Sequence, residues 1–140
     1  MHEPSQHGRA DYLIGPQRVD ITVDDGIRDG TSFVHMRNYA VGSAVFSAVL
    51  ANGATCTCQL LEATDATGTG AAAISGKSST LTGDGSTPQG DTIDFNEFDL
   101  TNPNTYYVGV RMTCDTTNDE IACTLFRLGA RYKGADIQAD

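Results

Sequence analysis

Residues 54–62 read ATCTCQLLE, and their alternation decides the fold class. Small or apolar side chains occupy every second position, and threonine or glutamine lies between them. A strand with one face towards a core has this period of two, whereas a helix repeats every 3.6 residues. The apolar side comprises Ala54, Cys56, Cys58 and Leu60, and the polar side Thr55, Thr57 and Gln59. The stretch therefore predicts a half-buried β-strand.

Strand-like segments of the same kind recur along the chain at short spacing. Clusters of Gly, Asn, Asp and Pro separate them and favour turns. The segments are residues 19–23, 33–37, 42–50, 54–62, 72–75, 78–82, 92–95, 106–113 and 121–132. Roughly seven to nine short strands at this spacing are typical of a sandwich or barrel. We predict an all-β fold, a two-sheet antiparallel β-sandwich, with a core that includes Val45, Leu60, Phe95, Val108, Val110, Leu125 and Phe126.

Two turns predict particular strand pairings. The dipeptide Asn52-Gly53 accepts positive φ at both positions, which predicts a hairpin between the two strands that flank it. The dipeptide Asn118-Asp119 lies between the last two long strands. A two-residue turn there places Cys114 opposite Cys123.

The length of 140 residues corresponds to one domain. We expect a single β-sandwich domain over residues 12–140, preceded by an extended, polar N-terminal arm over residues 1–11 whose removal leaves the sandwich folded. The arm lacks the apolar core of a signal peptide, so we do not expect secretion by that route. No apolar run approaches the roughly 20 residues that span a bilayer, which excludes an integral helical membrane protein.

The charge balance excludes nucleic acid as the main partner. The chain carries 18 acidic and 9 basic residues, for a net charge of −9. Phosphate binding needs a basic patch, which this composition does not favour. The chain also has no tryptophan, which counts against a sugar-binding site built on a flat indole.

No residue pattern predicts a catalytic site, a metal or a cofactor. The sequence contains neither a Gly-x-Ser-x-Gly elbow nor a His-Glu-x-x-His motif, and we expect no enzyme activity. The spacing of Cys56, Cys58, Cys114 and Cys123 does not match a zinc site. We predict four buried, reduced thiols, and a Cys114–Cys123 disulfide stays open as an alternative if the two are directly opposed.

The last strand is apolar on both sides. Ile121, Cys123 and Leu125 point one way, and Ala122, Thr124, Phe126 and Leu128 point the other. In an antiparallel sandwich one face of each sheet normally meets water. We therefore expect a second covering surface, either another part of this chain or another subunit.

Two stretches of the sequence form one recognisable pattern. Residues 59–71 read QLLEATDATGTGA and are followed by Ile74-Ser75-Gly76, and a later stretch has Leu100 ahead of TYYVGV at residues 105–110. The pattern consists of a strand ending in Gln or Glu, an acid-Ala-x-Gly-x-Gly loop, a short Ala/Ile stretch and a late Tyr-Val-x-Val strand. Over roughly residues 54–111 the chain resembles small head proteins of tailed bacteriophages, of the decoration or cement type.

The resemblance implies a structural virion protein. Such proteins are β-sandwiches, often jelly-roll-like, that sit on the capsid lattice, commonly as trimers. It implies binding and stabilisation of the major capsid protein lattice at the capsid surface, as a homo-oligomer with a trimer favoured, after synthesis in the host bacterial cytoplasm. The partners then include neither nucleic acid nor a membrane. The alternative is a carbohydrate- or receptor-binding β-sandwich on a phage tail or cell surface.

The predicted partner-binding residues lie in the arm and just after it. The arm has no apolar anchor of its own, so ordering it requires contacts along a partner surface. Arg9 supplies a charge, and Tyr12 and Leu13 form the first apolar foothold. We predict that these three residues contact the major capsid protein or an adjacent copy.

Overall fold

The computed structural model describes residues 8–18, 26–30, 32–37, 39–100, 106–116 and 119–130. Antiparallel strands account for most of these residues. The strands are β1 (Gly8–Arg18), β2 (Ile27–Asp29), β3 (Val34–His35), β4 (Tyr39–Val49), β5 (Thr55–Ala63), β6 (Ala72–Thr82), β7 (Gln89–Asn96), β8 (Tyr107–Cys114) and β9 (Glu120–Ala130). A 3-10 turn over Glu97–Asp99 follows β7. Among the described residues, no helix is long and apolar enough to cross a membrane.

The strands form two sheets that pack face to face. The first sheet has the order β1-β9-β4-β7, and the second has the order β2-β8-β5-β6. β3 also pairs with β8, beside β2, so that β2 and β3 share one strand position. Two four-position sheets with this order form a jelly roll. The structure confirms the predicted all-β, two-sheet antiparallel sandwich with a jelly-roll arrangement.

The core lies between the sheets and contains most of the predicted residues. Leu60, Phe95, Val108, Val110 and Leu125 are all buried there. The prediction was wrong for two others, because Val45 and Phe126 lie on the opposite side of their strands. Strand alternation demands this, since the neighbouring side chains in each strand already face the core.

Both predicted hairpins were wrong, although one of the turns forms as expected. Gly53 has a φ of 79°, and its N–H donates to the carbonyl of Gly83 at 3.0 Å. The turn carries the chain from β4 in the first sheet to β5 in the second. The connection from β8 to β9 also changes sheet, so Cys114 does not pair with Cys123 and instead lies opposite Cys56. Turn residues fix where the chain reverses, and the choice of sheet depends on which surface is left to cover.

β1 extends the sandwich into the predicted arm. It begins at Gly8, and residues 8–11 pair with β9. The expected boundary between arm and domain was therefore too late, and residues 1–7 lie outside the described residues. The sequence concealed this start of β1 because residues 8–11 are held by pairing with β9 and by an ion pair of Asp11, and the buried side chains of the strand come only at Leu13 and Ile14. Removing residues 1–11 takes away part of a sheet.

Arg127 is a buried cation at one end of the core. Its side chain is 2% exposed, and its Nη2 atom lies 3.1 Å from the carboxylate of Asp11 in β1. Its Nη1 donates to the carbonyl oxygen of His35 in β3 at 2.8 Å, and its guanidinium lies 4.8 Å from the ring centroid of Tyr39. A charge at this depth needs such compensation. Arg127 therefore links its own strand, β9, to β1 and β4 in the same sheet and to β3 in the other sheet.

We expect Asp11→Ala to lower the free energy of unfolding by about 2–4 kcal/mol, because it leaves the buried guanidinium without this carboxylate. Asp29→Ala is the matched control. Asp29 pairs with Arg111 at 2.6 Å, but both side chains are about half exposed, at 50% and 47%. An exposed pair contributes about 1 kcal/mol or less. Urea unfolding measures both variants, and equal losses would contradict a special role for the buried pair.

Candidate functional site

Exposed apolar side chains lie together on the outer surface of the first sheet. They belong to three neighbouring strands, β1, β9 and β4. We call this set the apolar face; its members are Tyr12, Val41, Val45, Phe126 and Leu128. Their exposed fractions run from 38% at Phe126 to 72% at Tyr12.

The strand register makes the apolar face continuous. Val41 is the direct partner of Leu128, and Thr124 is the partner of both Tyr12 and Val45. Direct partners on one face have Cβ atoms about 4.5–5.5 Å apart, and diagonal neighbours lie within reach of aromatic side chains. The face spans about 10 Å across three strands and about 13 Å along four residues of β9. A continuous exposed patch of this kind is characteristic of interaction sites.

The outer surface of the second sheet has the opposite character. The hydroxyls of Thr57 and Thr80 lie 2.8 Å apart, and Thr113 is the direct partner of Thr57 on the other side. Arg111 and Asp29 form an exposed ion pair on the same sheet. Among the described residues, the outer surface of the second sheet therefore carries one exposed large apolar side chain, Ile27, among hydroxyl and charged groups, whereas the first sheet carries the five of the apolar face. The second covering surface expected over the last strand is not supplied by the described residues, since Phe126 and Leu128 stay 38% and 42% exposed.

The three predicted partner-binding residues have different surroundings. Tyr12 lies on the apolar face. Leu13 is 1% exposed and belongs to the core, so its side chain is not available to a partner, contrary to the prediction. Strand alternation turns the consecutive residues Tyr12 and Leu13 to opposite sides of the sheet. The backbone of Arg9 pairs with that of Arg127 in the ladder between β1 and β9.

Four members of the apolar face were not predicted as site residues. Sequence reasoning assigned Val45 and Phe126 to the core, and it did not single out Val41. The signal that pointed to them was the apolar character of the last strand on both sides. Alternation identifies two apolar faces in such a strand, but it does not say which of them meets the other sheet.

A cleft of about 520 Å³ lies beside the apolar face at β7. Polar groups of β6, β7 and the 3-10 turn line it, together with Val41 and Leu128. Lys77 donates to the carbonyl oxygen of Asp94 at 2.9 Å and lies 3.6 Å from the carboxylate of Asp99. Phe98, in the turn at the edge of the cleft, is 87% exposed.

The four cysteines are buried free thiols. The hydrogen bond to Cys123 and then burial raise the pKa of Cys58, and the hydrogen bond to Cys56 and then burial raise the pKa of Cys114. These two groups are therefore protonated at neutral pH. In the part of the chain that the structure describes, no group of three His, Cys, Asp or Glu side chains is placed to hold a metal ion.

The acid-Ala-x-Gly-x-Gly loop after β5 is organised around one carboxylate. Asp65 accepts hydrogen bonds from the backbone N–H groups of Thr67 and Thr69, each at 3.0 Å. Hydrogen bonds from Thr69 and Thr67 hold the pKa of Asp65 well below its usual range. The acidic residue of the motif therefore closes the loop on itself.

The glycines of the same region make room for an aromatic ring. Gly68 has a φ of 89°, and a Cβ atom there would lie 2.7 Å from the ring of Phe33. A Cβ atom on Gly109 in β8 would lie 2.8 Å from the same ring. The N–H of Phe33 donates to the carbonyl of Ala66 at 2.9 Å. The ring thus ties the loop to the second sheet.

We expect Gly68→Ala to destabilise the protein more than Gly70→Ala. Both glycines have positive φ, which costs a side chain about 1–2 kcal/mol. Gly70 has open space around the Cβ position, whereas Gly68 also meets the Phe33 ring, which adds about 1–3 kcal/mol of overpacking. Thermal unfolding of the two variants tests the difference. Equal unfolding midpoints would show that the ring contact does not fix the loop.

Comparison with known proteins identifies the fold. The chain matches no protein-family model and no curated protein. Among solved structures it is similar to a chain of infectious bursal disease virus, Gx strain, with a TM-score of 0.54 and 11% identity over 91% of this chain. It is similar to the PBSX exported protein XepA, with a TM-score of 0.52 and 10% identity over 100% of this chain. The Gt strain of the same virus gives a TM-score of 0.50 at 10% identity over 91% of this chain.

These likenesses concern the sandwich and not the full length of the other proteins. The chain spans 33% of the Gx chain, 42% of XepA and 35% of the Gt chain. At 10–11% identity, they show a shared fold alone. The fold class is therefore a jelly-roll β-sandwich of a type that also occurs in a virus structure and in XepA.

Proposed function

We propose that this protein is a structural virion protein, a capsid decoration or cement protein that binds and stabilises the major capsid protein lattice of a tailed phage. The observation that carries the proposal is the difference between the two outer surfaces of the sandwich. The apolar face is suited to contact a protein surface, and the threonine-rich, charged surface of the second sheet is suited to water. The phage-head pattern in the sequence and the likeness to a virus structure support the proposal.

The apolar face has the composition of an interface centre. Tyrosine and phenylalanine are enriched where binding energy concentrates, and a polar rim commonly surrounds them. Tyr12 and Phe126 supply the aromatic groups. Ser43, Ser47 and Asp94, on the same surface towards β7, supply polar neighbours. In this proposal the face forms the centre of a larger contact with the capsid.

The proposed assembly is a homo-oligomer, with a trimer favoured, at the capsid surface. In a cyclic trimer one patch of each subunit meets a different patch of the next. The proposed role is non-enzymatic, and the protein is made in the host bacterial cytoplasm before it joins the particle.

We expect Phe126→Glu to weaken binding to particles at least tenfold. A carboxylate at the centre of an apolar contact loses burial and carries an unpaired charge into the interface. Co-sedimentation with virions of the encoding phage, stripped of this protein, measures the loss. Thr113→Glu places the same charge on the exposed surface of the second sheet and should bind as the natural protein does. Equal binding of both variants would show that the apolar face is not the docking site.

A second candidate function is carbohydrate binding at the cleft beside β7. The specific observation is that carboxylate and ammonium groups line the cleft and that the exposed Phe98 lies in the chain between Asn96 and Asp99, which also line it. Sugars are bound by such combinations, in which polar groups bind hydroxyls and an aromatic ring covers an apolar sugar face. The cleft and the apolar face share Val41 and Leu128 but differ in their remaining residues.

Phe98→Ala separates the two candidates. If the protein binds glycans at the cleft, this variant loses binding on an array of purified glycans while Phe126→Glu retains it. If the protein binds capsids through the apolar face, Phe98→Ala should still co-sediment with the particles, whereas Phe126→Glu should not. Phe98 is 87% exposed, so its replacement should leave the unfolding midpoint unchanged.

A further inference from the structure

Cys56 and Cys114 lie directly opposite each other on adjacent strands. They are register partners in the antiparallel pair of β5 and β8, and both side chains are buried. The N–H of Asp115 donates to the carbonyl of Thr55 at 3.3 Å, whereas the N–H of Cys114 donates away from β5, to Gly26 at 2.8 Å. This pattern defines a non-hydrogen-bonded pair, in which Cα atoms are about 4.5 Å apart and side chains are closest.

We propose that Cys56 and Cys114 are an oxidation site that forms a reversible cross-strand disulfide with a low-molecular-weight disulfide oxidant such as oxidised glutathione. Disulfides need Cα atoms about 4.4–6.8 Å apart, and this pair lies at the short end of that range. Thiol–disulfide exchange makes such a bond reversible.

The backbone geometry favours Cys56–Cys114 over the other nearby thiol pair. Cys58 is hydrogen-bonded to Cys123, and the two residues belong to opposite sheets. Facing sheets are about 10 Å apart, whereas the Cα atoms of a non-hydrogen-bonded strand pair are about 4.5 Å apart, so the backbones of Cys56 and Cys114 need to move least. Oxidation should therefore consume two thiols and leave Cys58 and Cys123 reduced.

The reaction proceeds by two thiol–disulfide exchanges. The hydrogen bond from Cys114 lowers the pKa of Cys56, so the Cys56 thiolate attacks one sulfur of oxidised glutathione. This step forms a mixed disulfide and expels one glutathione thiolate. Cys114 then loses its proton, and its sulfur attacks the Cys56 sulfur and expels the second glutathione as its thiolate. The two protein thiols are oxidised to one disulfide, and their two protons end on two molecules of glutathione.

Asp115 controls access to this pair. Its carboxylate accepts from the N–H of Thr55 at 2.9 Å and from the Thr55 hydroxyl at 3.0 Å, which fastens the start of β5 to the end of β8. The charges of Asp119 and then Asp115 oppose ionisation of both thiols, although at Cys56 the hydrogen bond from Cys114 outweighs them and the pKa is lowered overall. Oxidant reaches the pair when these strand ends open locally.

The test is an oxidation time course on the full chain. The protein is incubated with oxidised glutathione, free thiols are alkylated, and intact mass and peptide mapping locate the disulfide. We expect two of the four thiols to be lost and one cross-linked peptide to join Cys56 to Cys114. The midpoint of thermal unfolding should rise by roughly 5–10 °C and return after reduction.

Two sets of variants make the result decisive. The double variant Cys58→Ala/Cys123→Ala should form the same disulfide, and Cys56→Ala/Cys114→Ala should form none. Asp115→Asn removes the charge and Asp115→Ala removes the charge and the hydrogen bonds, so both should oxidise faster than the natural protein, and Asp115→Ala fastest.

A cross-link between any other cysteines overturns the proposal. So does the retention of all four thiols in both the natural protein and Asp115→Ala, because that variant opens the path to the site. The peptide map of the natural protein decides the pairing even if a cysteine variant does not fold. The experiment uses no capsid, so its outcome is independent of the proposed virion function.

Discussion

The buried guanidinium of Arg127 fixes the strand on which the rest of the sandwich depends. β9 pairs with β1 on one side and with β4 on the other, so its register sets the register of both neighbours. A slip by one residue would exchange its two faces. Such a slip would also move Arg127 out of the core and leave Asp11 and the His35 carbonyl without this cation. The ion pair therefore makes one register of β9 far better than its alternatives.

The position of the apolar face follows from that register. With Arg127 and Leu125 turned inward, Phe126 and Leu128 must point outward. The first sheet consequently carries apolar side chains on both sides. Hydrophobic burial alone would not specify which of the two sides faces the core. A strand with two apolar sides needs a polar or charged residue to define its inner face, and Arg127 supplies it by binding the His35 carbonyl of the opposite sheet and Asp11 of its own. The inward orientation of Arg127 thus determines both which side chains enter the core and which ones form the proposed docking surface.

The sequence predicted the fold class but not the pairing of the strands. Alternation in residues 54–62 and the spacing of turns were sufficient for an all-β sandwich, because both are local properties. Gly53 also has the positive φ that the predicted turn requires of it. The predicted strand pairing was wrong because consecutive strands of a jelly roll mostly lie in different sheets. The inward charge of Arg127 was overlooked for a related reason, since its partners are 92 and 116 residues away in the chain.

The two proposed sites lie on different sheets, and this separation has a mechanical consequence. The apolar face belongs to β1, β9 and β4, whereas Cys56 and Cys114 join β5 to β8 in the second sheet. A disulfide at that pair constrains strands that do not contribute a side chain to the apolar face. Oxidation should therefore stabilise the sandwich without changing the surface that contacts a partner. In the proposed virion role, a particle that leaves a reducing cytoplasm meets an oxidising medium, so the second sheet would be strengthened after the proposed docking of the first.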